Sequence, residues 1–186
     1  MLLALAGVTG VGKSYFKDLL VQKLNFKKIK IITTRQIRNG EKNNEDKIFV
    51  SPEELQKLKD SNIIAYDFNM LGNIYAYSKD DLFSKQNTVF ELHYSTIFDL
   101  KKICPDMIAI YIFPENINMA KEETIKRHLK PEVEKQRLLE IDEHYHKIMT
   151  DKNLRNQFDY FIYNSYNKRS ENEMLKLVEK ILYEER

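Results

Sequence analysis

Apolar and polar positions alternate along this chain in a way that predicts strands and helices in turn. Short apolar runs flanked by turn-forming residues predict strands at 2–6, 28–33, 48–50, 88–92, 107–113 and 160–163. Two further runs, 63–68 and 74–77, flank a turn at 71–73 and predict a strand pair. Apolar positions that recur every three or four residues predict helices at 15–24, 78–84, 96–102, 116–128, 131–151 and 170–185. Because strands and helices alternate, the order favours an α/β fold.

Capping residues mark the start of two helices. Ser51 is a good N-cap, Pro52 suits the first helical position, and Glu54 completes a capping box, so a helix is predicted from this point. The same spacing of a serine and an acid occurs at Ser170 and Glu173, which predicts Ser170 as the cap of the last helix.

The length and composition suit one compact domain with a core of its own. The chain has 186 residues, of which 42% are hydrophobic. Thirty basic and 28 acidic residues give a net charge of +2 without a basic tract, so the sequence gives no reason to expect a nucleic-acid partner. No apolar run approaches transmembrane length, so no membrane partner is expected. Cys104, the only cysteine, fits a reducing cytoplasm.

The first strand leads into a glycine-rich segment with the spacing of a phosphate-binding loop. Residues 7–14 read Gly-Val-Thr-Gly-Val-Gly-Lys-Ser, the pattern G-x-x-x-x-G-K-[ST], between a predicted strand and a predicted helix. Glycines let the backbone N–H groups converge on a polyphosphate, and the helix N-terminus that follows favours an anion. Lys13 is expected to place a cation between the terminal phosphates, and the Ser14 hydroxyl is expected to bind Mg2+.

Several later segments resemble the guanylate kinase family, in the same order along the chain. Residues 33–41 read Thr-Thr-Arg-Gln-Ile-Arg-Asn-Gly-Glu, which resembles the family's T-T-R-x-P-R-x-G-E. Residues 49–51 match its F-V-S, residues 71–75 are similar to its G-x-x-Y strand pair, and residues 161–164 are similar to its I-V-N segment. The resemblance runs from the phosphate loop to the last helix.

This resemblance implies a fold and a division of the chain. The expected fold is α/β: a P-loop NTPase with three α/β/α layers and a central parallel sheet. The chain is expected to be a single guanylate-kinase-like domain, residues 1–186. Its core would comprise about 1–33 and 87–186, with a small mixed-strand region that binds the nucleoside monophosphate inserted at about 34–86. A helical lid is expected at about 126–137.

The resemblance also assigns roles to individual residues. ATP, as the phosphoryl donor, and Mg2+ are the implied cofactors. Binding of ATP falls on the phosphate loop and its flanks: Gly7, Thr9, Gly10, Val11, Gly12, Lys13, Ser14, Tyr15 and Asn164. The expected catalytic residues are Lys13, Arg35, Arg127 and Arg137. The expected acceptor-binding residues are Arg35, Arg38, Glu41, Lys47, Tyr66, Tyr75, Glu91 and His93. Ser14 and Glu91 are the expected metal ligands.

The chain departs from the family pattern where the family reads guanine. The family's guanine-reading serine corresponds to Ile31, and its guanine-reading glutamate corresponds to Tyr66, or to Asp67 if the register slips by one. His93 replaces an acid that helps to bind the acceptor, and Lys47 replaces a tyrosine that contacts acceptor phosphate. Phosphate chemistry is therefore expected to be retained, whereas base specificity is expected to be altered or lost.

These observations leave several functions open. The leading hypothesis is an ATP-dependent kinase that converts a nucleoside monophosphate, GMP by default, to the diphosphate. A second is a kinase of another phosphorylated small molecule, such as a deoxynucleotide or ribose 1,5-bisphosphate. A third is a non-catalytic guanylate-kinase-like binding module, although such modules typically lack the intact ATP loop that Lys13 and Ser14 preserve here. A regulatory nucleotide-binding protein is a fourth. The protein is expected to be a monomer or homodimer.

Overall fold

The fold was taken from a computed structural model that describes residues 1–37, 41–70 and 72–184. Arg38 and Gly40 of the predicted acceptor segment lie outside the described residues, as does Leu71.

The described residues form two sheets and a set of helices. The strands are β1 (Leu2–Ala6), β2 (Lys27–Lys28), β3 (Ile31–Thr33), β4 (Lys47–Phe49), β5 (Ile64–Met70), β6 (Asn73–Ser78), β7 (Thr88–Glu91), β8 (Ile108–Pro114) and β9 (Tyr160–Asn164). The α-helices are α1 (Lys13–Leu24), α2 (Pro52–Asp60), α3 (Lys79–Leu82), α4 (Ile97–Ile103), α5 (Ile117–Ile125), α6 (Pro131–Thr150), α7 (Lys152–Arg155) and α8 (Lys168–Glu184).

The larger sheet is parallel and lies between two helical layers. Its strand order is β2-β7-β1-β8-β9, and each neighbouring pair is parallel. Successive residues of a strand face opposite sides, so in β1 Leu3 and Leu5 pack with α1 and α8 while Ala4 and Ala6 pack with α4 and α7. The predicted α/β fold with a central parallel sheet is confirmed.

The smaller sheet shows that one predicted strand is wrong. Residues 28–33 were expected to form a single strand, but the backbone N–H of Ile29 donates to Val89 of the larger sheet, whereas that of Ile31 donates to Asp46. The chain therefore leaves one sheet and enters the other between these two residues. The smaller sheet has the order β4-β3-β6-β5 and mixes parallel with antiparallel pairs. On this topology we propose that the inserted region begins near residue 31.

The helix caps agree with the sequence at one helix and differ at another. Ser51 and Glu54 form the predicted capping box of α2. The last helix begins at Lys168, two residues before the predicted cap, because the Asn167 side chain accepts hydrogen bonds from the first helical N–H groups. Ser170 instead lies inside α8, where its hydroxyl accepts from the backbone of Ser165. Within the described ranges, no helix is both long and apolar enough to cross a membrane.

Candidate active site

The phosphate loop connects β1 to α1 at the carboxyl end of the parallel sheet, where open α/β sheets bind ligands. Gly10 needs its glycine: its φ is +83°, and a Cβ there would lie 2.1 Å from the backbone oxygen of Ala120 in α5. Two side chains from the end of β9 fix the loop. The Asn164 amide donates to the Val11 carbonyl at 3.0 Å, and the Tyr166 hydroxyl donates to the Gly10 carbonyl at 3.1 Å. The sequence did not single out Tyr166, because only the fold brings it to the loop.

The ammonium group of Lys13 folds back onto the phosphate loop, where it donates to the carbonyls of Gly7 and Val8 at 2.9 Å. Burial lowers the pKa of Lys13 to about 8; Glu91 opposes this shift, while Arg127 and Arg137 add to it by repulsion. Three cations are thus close enough to disfavour one another's charge. A polyphosphate placed among them would relieve that repulsion.

Two cavities flank the loop. The loop cavity is lined by residues of the phosphate loop, of the predicted lid segment 126–137 and of β9, including Gly10, Gly12, Ser14, Tyr15, Arg127 and Asn164. The aromatic cavity, of about 380 Å³, lies between the two sheets and is lined by residues that include Ile31, Phe68, Tyr75, Tyr77 and His93.

The two cavities meet at a shared set of residues. The lining residues common to both are Thr9, Lys13, Glu91 and Arg137. A molecule in one cavity can therefore reach a molecule in the other at a point that carries two cations and a carboxylate.

A buried ion cluster sits beside this meeting point. Lys17, on the inner face of α1, is only 4% exposed and donates to Glu91 at 2.9 Å and pairs with Asp46 at 3.0 Å. Burial disfavours its charge, but Glu91 and Asp46 outweigh that effect and raise the pKa of Lys17. Because Asp46 precedes β4, Lys17 ties the smaller sheet to the core. No sequence motif includes Lys17, although a lysine among the apolar positions of α1 is a usable signal of a buried charge.

Glu91 is held in its ionised form at the end of β7. Burial acts to raise its pKa, but the Lys17 and Lys13 ammonium groups, with hydrogen bonds from Lys17 and Ser14, together lower the pKa below its usual value. The two predicted metal ligands, Ser14 and Glu91, are therefore within hydrogen-bonding reach of each other.

The predicted acceptor residues are only partly brought together. Lys47, Tyr75, Glu91 and His93 line the aromatic cavity. Arg35 lines neither cavity; its guanidinium donates to both oxygens of Glu41 at 2.8 Å and lies over the Phe49 ring. Glu41 itself lines the loop cavity.

The Tyr66 ring stacks on Phe68, but the polar groups of the two candidate base-reading residues on β5 have partners outside the two cavities. The Tyr66 hydroxyl donates to Asp99 at 3.2 Å, and Asp67 pairs with Lys59 at 2.7 Å. Neither residue lines a cavity, whereas Phe68 and Met70 of the same strand do. The smaller sheet therefore presents apolar side chains where the resemblance implied a base-reading group.

Of the remaining predicted donor-site residues, Thr9 and Tyr15 line the loop cavity, and Gly7 lines the aromatic cavity. Tyr15 is half exposed, and its hydroxyl donates to Glu171 at 2.7 Å. Val11 is fully buried, and its backbone N–H donates to Val8 at 3.3 Å.

Comparisons with known proteins identify the family of this chain. A sequence model described as guanylate kinase matches residues 1–184. The chain belongs to the guanylate kinase family. A curated guanylate kinase of Clostridioides difficile (strain 630) is 25% identical over 179 residues, which cover 94% of this chain and 84% of that protein. The family and its curated relatives indicate a nucleoside monophosphate kinase.

Solved structures support the fold. The guanylate kinase from Anaplasma phagocytophilum superimposes with a TM-score of 0.71 at 20% identity, covering 99% of this chain and 85% of that one. Shikimate kinase from Acinetobacter baumannii, solved in complex with shikimate, has a TM-score of 0.51 at 15% identity, covering 98% of this chain and 93% of that one. The guanylate kinase family fold is therefore a variant of the wider P-loop kinase fold.

Nucleotide affinity is expected to fall above pH 8, because the pKa of Lys13 is lowered to about 8 and only its protonated form attracts phosphate. The Kd for Mg-ATP should rise only about twofold from pH 7 to 8 and then by up to about tenfold per pH unit. Isothermal titration calorimetry across this range tests the expectation. The Lys13→Ala protein should bind weakly with a flat profile, and an equally steep rise in that variant would assign the titration to another group.

Proposed function

We propose that this protein transfers the γ-phosphoryl group of ATP to a nucleoside monophosphate, with GMP as the first acceptor to test. The observation that carries the proposal is the meeting of the two cavities at Thr9, Lys13, Glu91 and Arg137. A donor in the loop cavity and an acceptor in the aromatic cavity would face each other there. The choice of GMP is supported by the family and its curated relatives.

The chemistry requires positioning and charge neutralisation. An oxygen of the acceptor phosphate attacks the γ-phosphorus in line, a new P–O bond forms, and the bond to the β–γ bridging oxygen breaks to release ADP. The acceptor is already an anion, so no general base is needed. Lys13 neutralises charge at the terminal phosphates, while Arg137 and Arg127 stabilise the charge that develops on the transferred group.

The residues at the loop fit a magnesium ion. Mg2+ is usually held by one or two protein oxygens together with substrate phosphates and water, and the Ser14 hydroxyl and the ionised Glu91 carboxylate supply two such oxygens. Within the described part of the chain, no group of three or more acidic, histidine or cysteine residues is placed to hold a metal ion. The ion would neutralise charge on the donor phosphates when bound.

Acceptor phosphate is proposed to bind Arg35, Lys47 and Tyr75, together with Arg38. Lys47 and Tyr75 already line the aromatic cavity. Nη2 of Arg35 donates to both oxygens of the Glu41 carboxylate, and an anionic phosphate could accept a charge-assisted hydrogen bond from the same donor. We therefore expect acceptor phosphate to exchange with Glu41 on Arg35 as the smaller sheet and the lid, residues 126–137, close.

The test is ADP release from ATP and Mg2+ with GMP as acceptor, measured by a coupled assay and by chromatography of the products. We expect stoichiometric GDP and ADP, with turnover that Lys13→Ala removes. Release of ADP without GDP would indicate hydrolysis instead of transfer. Retained ATP binding without turnover of any nucleoside monophosphate, or of ribose 1,5-bisphosphate, would contradict the kinase and favour a binding module.

A further inference from the structure

The aromatic cavity has a charged end and an uncharged end. Lys13, Lys17, Glu91 and Arg137 lie at the end shared with the loop cavity or beside it. The opposite walls come from the smaller sheet and the segment before it, and they present Ile31, Phe68, Met70 and the rings of Tyr75 and Tyr77, with the Tyr75 hydroxyl left as the group proposed to reach the acceptor phosphate. A phosphorylated ligand would therefore place its phosphate at the charged end and its remaining part against apolar side chains.

The uncharged end offers a flat aromatic surface. The Phe68 ring stacks on Tyr75 with centroids 5.5 Å apart and lies 6.3 Å from Tyr77, at interplanar angles of 19° and 29°. Ile31 packs against the same cluster from β3. An aromatic surface of this kind favours a planar ring as ligand, and it accepts any base because every base has a π-face.

Three hydrogen-bonding groups near this surface already have partners within the protein. The buried Tyr77 hydroxyl donates to the Glu91 carbonyl at 3.1 Å. Nδ1 of His93 bonds to the Ser95 hydroxyl at 2.7 Å, and Nε2 of His144 bonds to the Tyr111 hydroxyl at 3.1 Å.

His144 is also uncharged at neutral pH. Burial, with repulsion from Lys13, lowers its pKa to about 2, so this ring cannot attract a base by charge.

Three of the four carboxylates that line the aromatic cavity are paired with cations. Glu91 and Asp46 bind Lys17, and Glu140 of α6 binds Arg137 at 2.6 Å. The fourth, Glu143 of α6, is exposed. The aromatic surface itself therefore offers a ring stacking and apolar contact.

We propose that the aromatic cavity accepts nucleoside monophosphates of more than one base, because it holds the base by stacking on Phe68 and by apolar contact with Ile31. The inference rests on the proposed function and deepens it. A site rejects a wrong base strongly only where buried polar groups would lose their partners, and apolar pockets discriminate by only about 10- to 200-fold. The specificity constants for GMP, AMP, CMP, UMP and dTMP are expected to lie within about 100-fold of one another.

The experiment measures kcat/KM with ATP for these five acceptors and for ribose 5-phosphate, which lacks a base. Calorimetric Kd values for the same six ligands are measured without ATP. Compared with every nucleotide, ribose 5-phosphate should have a kcat/KM at least tenfold lower and a Kd at least tenfold higher. A preference for GMP of about 10⁴-fold or more would overturn the inference and leave the kinase intact.

Phe68→Leu separates stacking from base-specific contacts. The substitution removes the aromatic face but keeps an apolar side chain. It should therefore lower the affinity and kcat/KM for all five nucleotides by a similar factor of about tenfold, and leave both values for ribose 5-phosphate unchanged. A loss confined to one base would overturn the inference. Phe83→Leu, an exposed aromatic residue outside both cavities, is the matched control, and melting curves check that both variants fold.

The binding data keep the two proposals apart. Comparable Kd values for the five nucleotides without turnover would support the base-tolerant cavity and contradict the kinase. No binding of any nucleotide would overturn both. Equal turnover of ribose 5-phosphate and the nucleotides would support a kinase that does not hold a base, and it would overturn the inference alone.

Discussion

Replacing Lys13 with alanine is expected to lower kcat for phosphoryl transfer by roughly 10³-fold, the scale of losing one preorganised cation or donor at a charged transition state. Lys13 is the one residue of the phosphate loop that adds a full charge, and it lies where the two cavities meet. Steady-state turnover of GMP with ATP and Mg2+, or of the best acceptor found, measures the effect.

The same change should not unfold the protein. Burial lowers the pKa of Lys13 to about 8, so keeping this side chain charged lowers the free energy of unfolding. The variant lacks that penalty and should melt at the same temperature or higher. Lys23→Ala is the matched control, because Lys23 is an exposed lysine in the last turn of the same helix; its activity should be unchanged. A Lys13→Ala protein that melts far lower would mean that Lys13 stabilises the loop instead.

Replacing Gly10 with alanine is expected to destabilise the fold by about 3 kcal/mol or more and to abolish ATP binding. Its φ of +83° disfavours any side chain. The new Cβ would also lie 2.1 Å from the Ala120 carbonyl oxygen and 2.8 Å from the Thr124 hydroxyl, both in α5. A backbone oxygen cannot rotate away, so the loop or the helix must shift.

Gly72→Ala provides a matched comparison for that change. Gly72 has a similar φ of +73°, but a Cβ there would meet no atom within 4 Å. Only the left-handed backbone is then penalised, at about 1 kcal/mol. Melting temperatures should fall by roughly 10 °C for Gly10→Ala and roughly 3 °C for Gly72→Ala. Equal falls would show that the contact with α5 contributes nothing beyond backbone conformation.

The sequence by itself determined the parts of this protein that depend on local rules. The phosphate loop could be found because its glycines, lysine and serine are consecutive and lie between an apolar run and an amphipathic segment. The α2 cap was predictable because a capping box involves residues three apart, Ser51 and Glu54. The buried strands β1, β7 and β8 followed from continuous apolar runs, which are typical of a sheet covered on both faces.

Other features were decided by tertiary structure alone, because they join residues far apart in the chain. Lys17 meets Glu91, 74 positions away, and Asn164 meets Val11, 153 positions away. No local pattern encodes such contacts. The predicted strand at 28–33 is divided because its two ends pair with different sheets. Lys28 pairs with β7 of the larger sheet, and Ile31 pairs with β4 of the smaller sheet.

The direction of a side chain was likewise settled by packing. Tyr66 lies at a position where the resemblance implied a base reader, yet its hydroxyl donates to Asp99 of α4. A buried or half-buried hydroxyl takes whichever partner the fold brings within reach, and α4 is a neighbour of β5 only in the folded chain. Sequence identified the residues available to the site, and the packing of the two sheets and α4 decided which of them face it.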